Sequence, residues 1–288
     1  MALMQPADTP PAVAPGAPYL FHRHALAVRV THWINAIAIF FLLMTGLNIF
    51  NAYPMLQWGQ YGASPDAAQA WLQIGSSGDA GFVRIGDLRI TTTGILGLSD
   101  SKAGAPQAIA YPHWATFPSY RDLATARNFH FFFAWVLVVN GLVYLAYGLF
   151  SGHFRRDLAP SAAELAPANI ANDVAAHARL RFPRGEDARH YHILQKLAYG
   201  GVIFLLIPGM IFTGLAMSPG MNAAWPLLIE ATGGRASARS LHWIFANLLI
   251  LFIIVHLLMV LLAGPWNEIR SMITGRFRID PAKPEVAP

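Results

Sequence analysis

Residues 240–263 read Ser-Leu-His-Trp-Ile-Phe-Ala-Asn-Leu-Leu-Ile-Leu-Phe-Ile-Ile-Val-His-Leu-Leu-Met-Val-Leu-Leu-Ala. The run is nearly pure hydrocarbon, yet it holds two imidazoles, His242 and His256. Fourteen residues of α-helix rise about 21 Å and return to within ~40° of the starting face. One helix therefore offers two histidines on one side, one near each edge of a hydrocarbon layer about 30 Å thick. Ionisable side chains at such depths are costly and usually functional.

Composition agrees with a membrane protein. The 288 residues are 55% hydrophobic and only 12% charged, about half the charged fraction of soluble domains. The chain has no cysteine. That excludes disulfides, thiolate-held iron–sulfur clusters and covalent c-type haem attachment. The net charge of +5 gives no reason to invoke nucleic acid. Residues 1–20 are rich in Pro and Ala and lack a basic start followed by an apolar core, so they read as a disordered tail and not a signal peptide.

Four segments are long and apolar enough to span: 30–50, 129–150, 193–217 and 241–263. Pro208-Gly209 is expected to kink the third. If both termini share one side, thirteen of the twenty Lys and Arg residues lie on that side and seven on the other. The positive-inside rule then places both termini in the cytoplasm and the chain in a bacterial inner membrane as a multi-pass protein. The expected fold is an all-α, four-helix transmembrane bundle over residues 21–270, with a C-terminal tail at 271–288. The periplasmic loop 51–126 is too long for a simple connection and reads as a compact cap, with a short strand in Arg89–Leu96. In the cytoplasmic loop 151–192, Ser161 and Glu164 fit a capping box opening a surface helix.

Three spans open alike: Arg29-Val-Thr-His32-Trp33, Arg127-Asn-Phe-His130-Phe131 and Arg239-Ser-Leu-His242-Trp243. Arginine and tryptophan alone are explained as membrane-edge anchors. Three histidines at the same place are not. A haem accounts for all of it: the imidazole binds iron, and Arg29, Arg127 or Arg239 neutralises a propionate nearer the headgroups. The alternating direction of the spans sets the levels. His32 and His256 meet near the inner face, and His130 and His242 meet near the outer face. Facing neutral imidazoles are what bis-histidine ligation of a non-covalent haem b requires. Gly46 and Gly141 lie on the histidine faces of their spans and would clear a haem ring, although small residues also serve plain helix packing.

At these residues the chain resembles the di-haem cytochrome b subunits that anchor periplasmic oxidoreductases, namely those of nickel–iron hydrogenase, formate dehydrogenase and thiosulfate reductase. The likeness is carried by Arg29-x-x-His32-Trp33, Thr45-Gly46 near the end of span one, His130 opening span two, and the His242/His256 pair, and it covers residues 28–264. It implies a four-helix bundle with two b-type haems that passes electrons between membrane quinone and a catalytic subunit outside, with a molybdopterin-type oxidoreductase as the first choice of partner. It also implies a quinone site near the inner haem. There His192, Gln195 and Lys196 are candidates to bind a quinone carbonyl or relay a proton, a membrane-edge polar cluster being the alternative.

His22, His24, His113, His153 and His177 fall in tails or loops and read as surface residues, His113 with a possible contact to a partner subunit. No nucleophile–base constellation or phosphate-binding loop appears, so no catalytic residue is assigned. Two other functions fit a four-span chain. One is a self-sufficient haem b quinone oxidoreductase, for example acting on superoxide. The other is a haem-free transporter or anchor with a histidine proton path, although no Asp or Glu lies within any span.

Overall fold

The computed structural model describes residues 17–60, 69–100, 104–179 and 191–280. Strand β1 (Tyr19–His22) leads into helix α1 (Leu26–Phe50). Six strands follow: β2 (Met55–Leu56), β3 (Leu72–Ser77), β4 (Ala80–Ile85), β5 (Leu88–Thr91), β6 (Gly97–Asp100) and β7 (Pro106–Ile109). Then come α2 (Leu123–Phe150), α3 (Pro167–Ala178), α4 (Ile193–Gly201), α5 (Ile207–Met217) and the short α6 (Pro219–Ala224) and α7 (Leu227–Ala231). Helices α8 (Arg235–Ala263) and α9 (Pro265–Thr274) and strand β8 (Arg276–Ile279) complete the chain. Four helical stretches are long and apolar enough to cross a membrane: α1, α2, α4 with α5, and α8. The chain forms two units, one of Met1–Trp33, Leu142–Ile203 and Leu251–Pro288, the other of Ile34–Gly141 and Phe204–Ile250.

In the second unit the segment expected as a cap is built of strands, so the all-α expectation holds for the spans alone. Strands β2 to β5 form one antiparallel sheet, and β6 pairs with β7. Leu72 and Ile74 alternate inward from β3 and pack with Phe50, Leu56 and Ala110, while Trp71 and Trp243 close around them. The expected strand at 89–96 is real only in its first part. It ends at Thr91, and the Thr92 hydroxyl donates to the Leu96 carbonyl at 2.9 Å, closing a turn.

This cap is fastened to the start of α8, which begins at Arg235, six residues before the expected 241. Polar side chains in that added stretch bind the cap instead of water. Ser237 Oγ accepts from the Gly59 amide at 2.8 Å, Ser240 Oγ donates to the Gln57 carbonyl at 2.6 Å, and Trp71 Nε1 donates to Ser240 Oγ at 3.0 Å. Gly234 precedes them at φ +109, where a Cβ would stand 2.2 Å from Gln60 Cα, so only glycine permits the approach. Helix α2 also starts early, at Leu123. Asp122 Oδ1 accepts from the Thr125 amide at 3.0 Å, an N-cap that holds the Asp122 carboxyl below its usual range.

In the first unit β1 and β8 pair antiparallel, from Tyr19 opposite Ile279 to His22 opposite Arg276. The first half of β1, Tyr19 and Leu20, and all of β8 fall in the expected tails. Residues 1–16 and 281–288 lie outside the described residues, but Tyr19, Leu20 and residues 271–279 are ordered into this sheet and α9. Phe277 and Ile279 bury one face of β8, and Arg23 lies 4.6 Å over the Phe277 ring while its Nη1 stands 3.5 Å from Glu268. That apolar face is only two side chains long and alternates with Arg276 and Arg278, so the sequence does not announce it.

The helix expected in loop 151–192 starts at Pro167, not Ser161. The Ser161–Glu164 reciprocal bonds do form, at 2.7 and 3.3 Å, but they close a turn. Ala166 sits before a proline and is held at ψ 132, off the helical region, so the helix can only begin afterwards. The third span is broken by a π-helical stretch at Val202–Leu206, one turn ahead of the expected Pro208-Gly209 kink. Pro208 has no N–H for the Phe204 carbonyl, and the ladder widens there.

Candidate cofactor-binding site

In the second unit, α2 carries His130 and α8 carries His242, with ring centres 6.3 Å apart and planes at 58°. Each ring is held at its Nδ1 edge by a threonine. Thr45 Oγ1 on α1 is 2.9 Å from His130 Nδ1, and Thr213 Oγ1 on α5 is 2.9 Å from His242 Nδ1. A glycine follows each threonine and lets the ring lie close. A Cβ on Gly46 would stand 3.4 Å from His130 Cε1, and one on Gly214 would stand 3.5 Å from His242 Cε1.

In the first unit, His32 on α1 faces His256 on α8, again with centres 6.3 Å apart and planes at 57°. His256 stacks on Phe252 at 5.7 Å and 14°. His32 meets Trp33 edge-on at 5.4 Å, and its buried Nδ1 has no hydrogen-bond partner among the described residues. The start of α1 is pinned to α9, since Trp33 Nε1 donates to the Met272 carbonyl at 3.1 Å and Arg29 donates to the Ile273 carbonyl.

The separation discriminates between chemistries. An imidazole nitrogen bonds a first-row metal at about 2.0–2.1 Å, so two rings in line across one ion, each with a radius of about 1.1 Å, have centres about 6.3 Å apart. A direct imidazole–imidazole hydrogen bond of about 2.9 Å would bring the centres to about 5 Å. Both pairs stand at a spacing that admits a bridging metal and excludes a direct bond; His177 and His192 share it beside Asp173, so the distance by itself does not require a metal. Neutral, apolar-flanked nitrogens suit a b-type haem, and the two pairs fit that group.

The other expected residues divide. Arg239 directs its guanidinium to the backbone carbonyls of Met55, at 3.1 Å, and Tyr53, and lies over the rings of Phe50 and Tyr53, so its observed task is fastening the cap. Arg127 lies 5.6 Å over the Phe131 ring. A Cβ on Gly141 would meet no protein atom within 4 Å. On the quinone candidates, Lys196 Nζ is held by Glu164 at 2.7 Å, and Gln195 Oε1 accepts from the His192 amide at 3.0 Å. His192 Nδ1 lies 3.4 Å from Asp173 Oδ1, which also lies 3.3 Å from His177 Nδ1. The Lys196 pairing and the Ser161 amide hold Glu164 down to about 2. His190 lies outside the described residues.

Two histidines taken for surface residues are buried. His24 and His153 are each 7% exposed. His24 faces the Tyr191 hydroxyl at 3.3 Å, and burial, then the Arg23 guanidinium, pull it down to about 3. His153 bonds Asp157 at 2.6 Å. Loop position misled because the paired termini cover His24. Thr213 and Gly214 were missed altogether. Their signal is a repeat, Thr45-Gly46-Leu47 and Thr213-Gly214-Leu215, in two spans otherwise unlike.

Comparison with known proteins bears on this arrangement. The chain is 26% identical over 256 residues to the putative protein-methionine-sulfoxide reductase subunit YedZ1 of Azospira oryzae, covering 88% of this chain and 96% of that relative. No solved structure matches. The family described as prokaryotic cytochrome b561 matches residues 23–275, a stretch that holds all four paired histidines. The chain thus belongs to the prokaryotic cytochrome b561 family, as a membrane electron-transfer subunit.

Proposed function

We propose that the chain is a di-haem b-type cytochrome that carries electrons between the quinone pool and an oxidoreductase subunit on the periplasmic side of the inner membrane. The observation that carries this reading is that helices long and apolar enough to cross a membrane bring four histidines together as two pairs, His130 with His242 and His32 with His256, each with ring centres 6.3 Å apart. A haem held at each pair supplies a one-electron carrier; the protein sets its ligands, burial and place. Helix α8 contributes one ligand to each pair, His242 and His256.

The chain's own residues then divide the work. His32 and His256 hold the inner haem, and His130 and His242 the outer one. Arg29 and Arg127 stand near the two levels to neutralise propionates, and Gly46 and Gly141 give clearance. Both termini lie in the cytoplasm by the charge distribution, and β1–β8 pairing keeps residues 19–22 and 276–279 together on one side, as an even number of spans requires. On that side His192, 33% exposed, is more open than Lys196, 12% exposed, which serves Glu164. The cap, fastened one turn from His242, is the surface that a periplasmic partner meets. The relative's description as a subunit of a protein-methionine-sulfoxide reductase supports a partner that reduces oxidised methionine; a molybdopterin cofactor in it rests on the family resemblance alone.

Haem content tests the reading. The purified chain, expressed with ample porphyrin supply, is expected to bind two haems by pyridine haemochrome assay. His130→Ala or His242→Ala removes one, and His32→Ala or His256→Ala removes the other. A colourless protein, or single variants that all keep two haems, would overturn it.

A further inference from the structure

We infer that Thr45 and Thr213 are positioning residues that fix the tautomer of the outer ligand pair and make those two imidazoles more basic than the inner two. This rests on the di-haem reading above.

The two threonines form the same device twice. Thr45 Oγ1 bonds the Phe41 carbonyl at 2.6 Å, the Leu42 carbonyl at 3.2 Å and His130 Nδ1 at 2.9 Å. Thr213 Oγ1 bonds the Gly209 carbonyl at 2.7 Å, the Met210 carbonyl at 3.2 Å and His242 Nδ1 at 2.9 Å. The following glycines set the ring edges at matching distances, 3.8 Å and 3.9 Å from a built Cβ to Nδ1. Thr45 is 0% exposed and Thr213 1%.

Hydrogen counting settles the tautomer. A hydroxyl has one proton, and a carbonyl can only accept. Were that proton aimed at Nδ1, each threonine oxygen would face a carbonyl oxygen at 2.6–2.7 Å as acceptor against acceptor. The arrangement that satisfies every group has the hydroxyl donating to the carbonyl four residues back and Nδ1–H donating to the hydroxyl oxygen. The lone pair is thereby left on Nε2 of both rings, the nitrogen free for a metal. A ligand histidine that donates its other N–H is oriented and made more basic.

Among the described residues the inner pair shows no such device. His32 Nδ1 is buried without a partner among the described residues, and His256 stacks on Phe252. Among the described residues, then, one site has ligands held by hydroxyls and the other shows none. More basic ligands favour the oxidised metal, so the threonines lower the potential of the outer site while the inner site is untouched.

The test is a spectroscopic redox titration of the purified holoprotein, with Thr45→Val, Thr213→Val and the two serine variants. Valine keeps the shape and removes only the hydroxyl. Each valine variant is expected to raise one of the two titrating components, by up to about tenfold in the reduced-to-oxidised ratio, or ~59 mV for one electron. The other component stays in place, and serine restores the wild-type value. Valine variants that titrate like wild type, or that move both components alike, would overturn the inference. If valine abolishes the outer haem, recovery of haem and potential by serine supports it, and failure of serine overturns it. A wild-type protein with no haem sinks the di-haem reading itself, which separates the two outcomes.

Discussion

Gly46 gives the sharpest steric test of the outer site. A Cβ added there lies 3.4 Å from His130 Cε1 and 3.8 Å from Nδ1, which is ordinary contact. Gly46→Ala is therefore tolerated and gains roughly 0.8–1.0 kcal/mol of helix propensity. Gly46→Val is different. Its methyls extend about 1.5 Å beyond Cβ, and a helical valine is confined almost to one rotamer. The ring has nowhere to retreat, because Thr45 holds Nδ1 at 2.9 Å and His242 sits across the pair at 6.3 Å. Overpacking of this kind costs about 1–3 kcal/mol, equivalent to roughly 5- to 150-fold weaker ligand retention. Haem per polypeptide, measured by pyridine haemochrome after detergent purification and dilution, is expected to stay at two for alanine and fall toward one for valine. A valine variant that keeps both haems as wild type does, or an alanine variant that already loses one, would refute the assignment of Gly46 to the His130 cradle.

Arg239→Gln leaves the carbonyls of Tyr53 and Met55 short of a charged donor and should loosen the cap by about 1–3 kcal/mol; limited proteolysis within residues 51–60 is expected to accelerate, and an unchanged cleavage rate would exclude the fastening role. His24 is held neutral, at about 3 against an ordinary 6.5, so its contribution is complete above pH 6.5 and drains as pH falls toward 3. That amounts to about 2 kcal/mol lost by pH 5, seen as faster hydrogen exchange of strands β1 and β8 after correction for intrinsic rates; His24→Gln should flatten this dependence, and a pH-independent opening would count against it. Gly209→Ala puts a Cβ 2.7 Å from Phe245 Cε2 and 2.9 Å from Cζ, so a lower melting temperature is expected despite better helix propensity; a rise would mean the ring moves freely.

The spans were legible because lipid demands long apolar helices, and the paired histidines because polar groups stand out against hydrocarbon. Helix ends were less so. Arg235–Ser240 looks like loop until the cap's carbonyls supply partners for its side chains. Residues 19–22 and 276–279 form a sheet that pairs opposite ends of the chain, and neither alternation is long enough to announce it. Arg239 and Arg29 show what a repeated motif leaves open: both donate to protein backbone, Arg239 to Tyr53 and Met55 and Arg29 to Ile273, partners that the sequence does not announce. Thr213 shows the reverse case, a functional position hidden because a threonine in an apolar helix usually bonds its own backbone, as this one also does.

The threonines also bear on the choice between a haem protein and a proton path. A histidine wire needs rings close enough to pass a proton, or waters between them, and gains from tautomers that can exchange. Here the outer rings stand about 1 Å too far apart for a direct bond. Each Nδ1 is committed to a hydroxyl whose own proton is committed to a carbonyl. Such locking hinders a relay and favours ligation, since a metal gains from a lone pair aimed in one direction by groups that cannot turn. The inner rings reach the same 6.3 Å spacing without that lock, held instead by Phe252, Trp33 and the anchoring of α1 on α9. Two unlike means thus leave the same opening between facing rings, one that an ion with bonds of about 2.0–2.1 Å would fill.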